Sequence, residues 1–183
     1  MTTAVGTELA RPVEVWGEDG DRREVAKGLC HVLADTHTLY LKTHNYHWNV
    51  TGPMFHALHA MLEEQYTELW LAADLLAERV RALGYIVPGS FSEFSKLAYV
   101  READGVPAAA EMIKELAGDH VTVARTARWA LSLARSAADA PTEDLLTRRL
   151  AAHEKAAWML RSLLAEEKPS AIGQTRVDEA GVN

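Results

Sequence analysis

Residues 44–64 have the sequence HNYHWNVTGPMFHALHAMLEE, with a Gly-Pro pair near the middle from which the helical architecture can be predicted. Gly52 and Pro53 separate two long segments that contain no proline and in which leucine and alanine recur at helical spacing. Proline is tolerated in the first turn of a helix, so the break predicts one helix that ends near Val50 and a second that begins at Pro53. The two helices are expected to turn back on each other as an antiparallel pair.

The same punctuation divides the rest of the chain. Asp21, followed three residues later by Glu24, predicts the start of the first helix, and Gly84 predicts the end of the second. Long helices are predicted over residues 21–50, 53–83, 107–138 and 141–167, and a short one over 92–100. This pattern predicts an all-α four-helix bundle with a short extra helix in the connection between the second and third helices. The bundle is assigned to residues 21–167, and residues 1–20 and 168–183 are predicted to be flexible tails.

Composition is that of an ordinary globular domain: 183 residues, 48% hydrophobic and 25% charged. Cys30 is the single cysteine, so no intrachain disulfide can form, and it is interpreted as a buried apolar residue. Residues 1–12 lack a secretory pattern and no apolar run is long enough for a membrane span, so we expect a soluble, cytoplasmic protein. The net charge of −7 argues against a protein that grips nucleic acid with its whole surface.

One face of the second helix carries a histidine and three acids. At about 100° per residue, Glu63, Asp74 and Glu78 all fall within about 100° of His59 on the helical wheel. Tyr66 and Trp70 lie among them. Ordinary surface charges are the alternative interpretation, but carboxylates set among aromatic rings are costly unless they are paired or bind a metal. A separate stripe is available for the core: Leu58, Leu62, Leu69, Leu76 and Val80.

A second histidine, His47, lies five residues before Gly52, and His59 lies six residues after Pro53. In an antiparallel pair the two would sit at the same depth and could converge on one metal ion. Imidazole with carboxylate suits iron, zinc or manganese, and thiolate is absent. No histidine has glutamate three residues before it, so the Glu-x-x-His site inside one bundle is not available in its usual form.

Spacing places the acids in two groups. Glu63 and Asp74 are 11 residues apart, or about 16 Å along one helix, so they cannot bind the same ion within one subunit. A two-fold axis near residue 68 would bring the His59 end of one helix to the Glu78 end of its mate. The site is therefore predicted to form between subunits, twice per dimer.

These residues resemble the motif of the Dps family, the DNA-binding proteins from starved cells. His47-Trp48-Asn49 is followed at family spacing by His59, Glu63, Asp74 and Glu78. Three other segments are also similar to the family: Ala77-Glu78-Arg79, Leu83-Gly84, and Glu154-Lys155 with Trp158-Met159-Leu160. The resemblance covers about residues 22–167. Glu63 stands where many members carry aspartate, which keeps the charge and adds one methylene.

The resemblance implies a ferroxidase: a hollow homo-dodecamer, built from two-fold dimers, that oxidises ferrous iron, preferentially with hydrogen peroxide, and stores the ferric mineral. Each inter-subunit site would bind two ferrous ions. His47, His59 and Glu63 would come from one subunit, and Asp74 and Glu78 from its mate. The family name also implies DNA binding, and a nucleoid-binding protein is the alternative function. Residues 1–27 hold four basic and six acidic side chains, and residues 166–183 hold two and four, which is unlike a phosphate-binding arm.

Three assignments stay open at this point. His44 is either a further ligand or a polar interface residue, and Trp48 either packs or quenches radicals near the site. Three acids in the third connection either line an iron-entry pore or belong to a solvated turn: Asp139, Glu143 and Asp144. No acidic pairing is evident for four other histidines: His31, His37, His120 and His153.

Overall fold

The computed structural model describes residues 19–164, and this part of the chain contains helices and no strand. The helices are α1 (Asp19–Asn49), α2 (Phe55–Ala82), α3 (Phe91–Leu97), α4 (Ala109–Ser136) and α5 (Ala140–Ser162). Four helices are long and α3 is short. This confirms the predicted all-α four-helix bundle with a short extra helix in the connection between the second and third long helices. None of the described helices combines the length and apolar character needed to cross a membrane.

The helix ends differ from the predictions by a few residues. α1 already includes Asp19, so the predicted start at Asp21 is wrong. α2 begins at Phe55 and not at Pro53, because Gly52 adopts a φ of 101° and its carbonyl accepts the Phe55 N–H at 3.0 Å in a tight turn. α5 ends at Ser162, short of the predicted Glu167. Residues 1–18 and 165–183 lie outside the described residues, so the two tails stay predictions.

The bundle core lies along α1, which packs against both α2 and α4, while α4 packs against α5. The predicted core stripe of α2 is confirmed, since all five of its residues are buried: Leu58, Leu62, Leu69, Leu76 and Val80. Gly28 sets the approach of α1 to α4. A Cβ atom at Gly28 would lie 3.1 Å from the Cβ of Ala130, so a larger residue would force the two helices apart.

The connection that carries α3 is fixed to the bundle by a buried carboxylate. Asp35 of α1 accepts hydrogen bonds from the Tyr99 N–H at 2.6 Å and the Val100 N–H at 2.9 Å. It also accepts one from the Thr126 hydroxyl of α4 at 2.6 Å. Burial raises the pKa of Asp35, and these hydrogen bonds act in the opposite direction. The connection is thereby held beside α1, and α3 forms one wall of a groove next to α2.

Candidate metal centre

Two histidine rings join α1 to α2 near the turn between them. His47 is buried and His59 is half-buried. Their ring centroids are 3.7 Å apart and the ring planes are 20° from parallel, so the imidazoles are stacked. The structure therefore brings together the two histidines whose convergence the spacing predicted.

Each ring is fixed by a hydrogen bond to the other helix. The His47 Nδ1 is 2.9 Å from the His59 carbonyl oxygen, and the His59 Nδ1 is 2.9 Å from the His47 carbonyl oxygen. A carbonyl oxygen only accepts, so each Nδ1 carries the proton and donates. In the neutral ring the Nε2 then keeps its lone pair. This is the tautomer that binds a metal through Nε2, with the second nitrogen anchored to the protein.

Aromatic rings surround this pair on one side. Tyr66 lies edge-on to His47, with centroids 5.2 Å apart, and stacks on His44 at 4.0 Å. Trp48 is 61% exposed and contacts the His44 ring at a centroid distance of 4.1 Å. The His44 Nδ1 is 3.3 Å from the Tyr40 hydroxyl, and desolvation lowers the pKa of His44. His44 is thus a packed member of an aromatic group beside the pair.

The three acids lie on the exposed surface of α2. Glu63, one turn after His59, has no hydrogen bond or ion pair within residues 19–164, and the same holds for Asp74 and Glu78. Asp74 lines an open groove between α2 and the α3 connection, together with Trp70 and Phe91. These carboxylates have no structural partner in the described chain.

A single chain does not assemble all five residues. Within residues 19–164, no three histidine, cysteine, aspartate or glutamate side chains are grouped closely enough to hold a metal ion. The five predicted residues cannot meet within one chain, because Glu63 and Asp74 are separated by about 16 Å of straight helix. One subunit thus holds the predicted residues in two sets, called half-sites here: His47 and His59 with Glu63 one turn further along α2, and Asp74 with Glu78.

Between Glu63 and Glu78, α2 exposes large apolar side chains. Trp70 is 62% exposed, Leu71 is 58% exposed and Leu75 is 54% exposed. The sequence indicated Trp70, but the two leucines were missed. They lie outside the core stripe, and a count of apolar residues around the whole circumference of α2 would have found them. An apolar helix face of this kind is typical of a protein–protein contact.

The acids of the third connection are better defined by the structure than by the sequence. Asp139 is fully buried, caps α5 by accepting the Thr142 N–H at 3.1 Å, and pairs with Arg79 at 2.7 Å. It is therefore neither a pore residue nor part of a solvated turn. Asp144 is exposed and paired with Arg148. Cys30 is only half-buried, and burial raises the pKa of its thiol to about 11.

A second histidine pair was not anticipated. His120 of α4 and His153 of α5 are buried, and their Nδ1 atoms are 2.9 Å apart. Burial lowers the pKa of both rings, that of His120 to about 3, so both are neutral near pH 7. The two residues are 33 positions apart on different helices, so no local spacing could have linked them.

Comparison with known proteins shows which family this chain is similar to. The ferritin-like domain family matches residues 26–168. A low temperature-induced protein of Nostoc is 40% identical over 148 residues, which cover 80% of this chain and 83% of that protein. The DNA protection during starvation protein of Brevibacillus brevis is 39% identical over 132 residues, covering 72% of this chain and 89% of the relative.

A solved structure gives the same result. The crystal structure of the Dps protein from Vibrio cholerae O1, described as a member of a broad superfamily of ferritin-like diiron-carboxylate proteins, is 30% identical with a TM-score of 0.80. The match covers 87% of this chain and 100% of the Vibrio chain. The helical bundle, the spacing of His47-Trp48-Asn49 from His59, and these matches together show that the chain belongs to the Dps family of ferritin-like proteins.

Proposed function

We propose that the protein is a ferroxidase that oxidises ferrous iron at a site shared by two subunits and stores the ferric product in a hollow homo-dodecamer. The observation that carries the proposal is the stacked pair of His47 and His59. In its neutral form each ring carries the proton on Nδ1, which donates to a backbone carbonyl, and keeps the Nε2 lone pair. Such rings bind a divalent metal without first losing a proton.

The exposed acids supply the other half of the site. Asp74 and Glu78 of the partner subunit would face His47, His59 and Glu63 across a two-fold axis. Burying Trp70, Leu71 and Leu75 in the same contact would stabilise the dimer, since a fully buried leucine contributes about 1.5–3 kcal/mol. Dimerisation and site assembly would then be one event, and Dps-type dodecamers would be built from such dimers.

The donor set fits iron in both oxidation states. Imidazole nitrogen binds ferrous iron well, and carboxylate oxygen, a harder donor, stabilises the ferric product. Two ferrous ions bound side by side can each give one electron to hydrogen peroxide. The O–O bond then breaks in a two-electron step, two protons are taken up and two water molecules form. Peroxide is consumed without release of a hydroxyl radical, which gives protection from oxidative damage.

Replacement of His47 and His59 by glycine tests the proposed ferroxidase function. In a His47→Gly/His59→Gly variant we expect the rate of iron oxidation, followed by ferric absorbance, to fall by more than about tenfold. His56→Gly is the matched control, since His56 is exposed and lies one turn before His59. A rate equal to that of wild type in the double variant would contradict the proposal.

Because the same histidines also bond α1 to α2, the acids provide a second test. Asp74→Asn/Glu78→Gln alters exposed groups that have no partner within residues 19–164, so folding should be unaffected. The same loss of iron oxidation is expected. A normal rate would show that the acids take no part.

DNA binding is the competing function, and the name of the Brevibacillus brevis relative refers to DNA protection. We propose protection through removal of iron and peroxide and not through DNA contact, because both terminal segments carry more acidic than basic side chains. A gel-shift titration at low salt separates the two functions. Retention of DNA that weakens steeply with added salt would favour the competing function.

A further inference from the structure

A cleft of about 240 Å³ lies between α2 and α5, away from the two half-sites. Its α2 wall includes Met61, Gln65 and Glu68, and its α5 wall includes Met159. His120 of α4 also lines the cleft. The proposed iron chemistry makes no use of this cleft.

The hydrogen bonds beneath the cleft fix the protons on both histidines. Arg149 donates from Nη2 to the His153 Nε2, 3.3 Å away, so that nitrogen is an acceptor. His153 is neutral and therefore carries its proton on Nδ1, which donates to the His120 Nδ1 at 2.9 Å. The neutral His120 must then carry its own proton on Nε2.

That last proton has no acceptor in the described chain. The His120 side chain is 2% exposed, and its Nε2 has no hydrogen-bond partner. Both polar atoms of the Gln65 amide are also buried without a partner. Buried polar groups are almost always satisfied, so the cleft calls for a bound molecule that accepts from His120 and pairs with Gln65.

The same proton argues against a metal ion. A metal would need a lone pair on the His120 Nε2. This atom has none to offer, because the hydrogen bonds from Arg149 to His153 and from His153 to His120 place the proton of His120 on Nε2. The charges around the cleft also balance: Glu64 and Glu68 against Lys155 and Arg149. A small neutral molecule that both donates and accepts hydrogen bonds fits this environment better than an ion.

Two methionines in the cleft indicate which small neutral molecule it binds. Met61 and Met159 are half-buried, and both line the cleft. Thioether sulfur is oxidised by peroxide to the sulfoxide. Hydrogen peroxide is neutral, has two donors and two acceptors, and reacts with these side chains. Water would satisfy the same hydrogen bonds, but it does not react with the two methionines that line the cleft.

We propose that this cleft binds hydrogen peroxide and transfers one of its oxygen atoms to Met61 or Met159. The sulfur lone pair attacks one oxygen, an S–O bond forms and the O–O bond breaks. The second oxygen leaves with the bonding electrons and takes up the proton of the first, so methionine sulfoxide and one water molecule result. The His120 Nε2–H donates to the leaving oxygen and stabilises the negative charge that develops there. No iron is required.

The test is methionine oxidation in the iron-free assembly. The full chain is exposed to hydrogen peroxide, and sulfoxide at each methionine is followed by peptide mass spectrometry. Met54 is the internal reference, since it is also half-buried but lies outside the cleft. Met61 and Met159 are expected to oxidise at least about tenfold faster than Met54. Equal rates at the three positions would mean that the cleft holds only water, and would overturn the proposal.

Variants separate the donors from simple exposure. Gln65→Leu and His120→Phe should each bring the rates at Met61 and Met159 down to that of Met54. His31→Phe is the matched control: it removes another half-buried histidine, which bonds the Leu97 carbonyl at 2.8 Å away from the cleft, and should change neither rate. If His120→Phe does not assemble, Gln65→Leu decides alone, since it leaves the histidine pair in place. Wild-type rates in the assembled variants would refute the role of the donors.

Discussion

Two pairs of histidines join helices in this bundle, and their hydrogen bonds suit them to opposite chemistry. In the His47–His59 pair, both Nδ1 atoms donate to backbone carbonyls, and each neutral ring keeps its Nε2 lone pair for the proposed metal. In the His120–His153 pair, the Nδ1 atoms face each other, and Arg149 occupies one Nε2. That pair ends in a single N–H donor. The partner of the second ring nitrogen decides whether a histidine is a ligand or a donor.

The largest effect is expected where the first pair meets the partner subunit. His47→Gly/His59→Gly chains and Asp74→Asn/Glu78→Gln chains should each be nearly inactive as pure assemblies. A mixed dimer carries one complete site and one empty site. Random pairing makes about half of the dimers mixed, so co-assembled chains should recover about a quarter of the wild-type rate of iron oxidation.

Native mass spectrometry must first show that mixed assemblies have formed. If verified mixtures stay as inactive as their parents, the shared site is wrong, and the metal would have to be sought inside one bundle.

The next effect concerns the arginine that orders the second pair. Arg149 is buried, with Glu68 and His153 as its partners. Arg149→Met leaves the His153 Nε2 buried without a donor, at a cost of about 1–3 kcal/mol in the free energy of unfolding. Part of the loss on the carboxylate side is recovered, since the Glu68 side chain is 49% exposed and can be hydrated.

Arg148→Met is the matched control for that substitution. Arg148 is the adjacent residue, its side chain is 76% exposed, and it pairs with Asp144 on the surface. A change within about 0.5 kcal/mol is expected there. Chemical denaturation followed by circular dichroism measures both variants, and equal midpoints would show that Arg149 does not support the pair.

The fold was predictable because its signals are local. The Gly52-Pro53 break and the leucine stripe of α2 each lie within one stretch of chain, and both appear in the structure as expected. The meeting of His47 with His59 followed from their distances to the same turn. Their tautomers did not, because these depend on backbone carbonyls of the facing helix, whose register the sequence does not reveal.

Contacts between residues far apart in the sequence were missed because the sequence does not reveal how distant helices pack. Neither His120 nor His153 has a sequence motif around it, and only the packing of α4 on α5 brings the two residues together. Asp139 was grouped with Glu143 and Asp144 by proximity in sequence. Its burial depends on Arg79, which is 60 residues away and reaches it from α2.

A smaller effect, dependent on pH, is expected from the burial of the second pair. The pKa of His120 falls from 6.5 to about 3 on folding, and that of His153 is also lowered. The unfolded chain therefore binds protons below pH 6.5 that the folded chain does not, so the free energy of unfolding falls as pH falls. A ring that stays neutral in the folded chain, as His120 does, contributes a slope of up to about 1.4 kcal/mol per pH unit in this window, and the lowered pKa of His153 acts in the same direction.

A His120→Phe/His153→Leu variant should lose this slope between pH 6.5 and about pH 4. Denaturation at several pH values measures it. Leu160→Ala serves as the control, because it destabilises the core without removing a titratable group and should keep the wild-type slope. Parallel curves for wild type and the double variant would mean that the buried pair titrates normally.

The smallest effect is expected at His44, the third histidine beside the metal half-site. Its ring packs on Tyr66 and Trp48, and its Nδ1 meets the Tyr40 hydroxyl, which either donates or accepts. No carbonyl therefore fixes its tautomer, in contrast to His47 and His59. His44→Phe keeps the stacking and should leave the rate of iron oxidation within about twofold of wild type. A rate as low as that of the His47→Gly/His59→Gly variant would make His44 a ligand, and would show that a histidine needs no backbone anchor to bind the metal here.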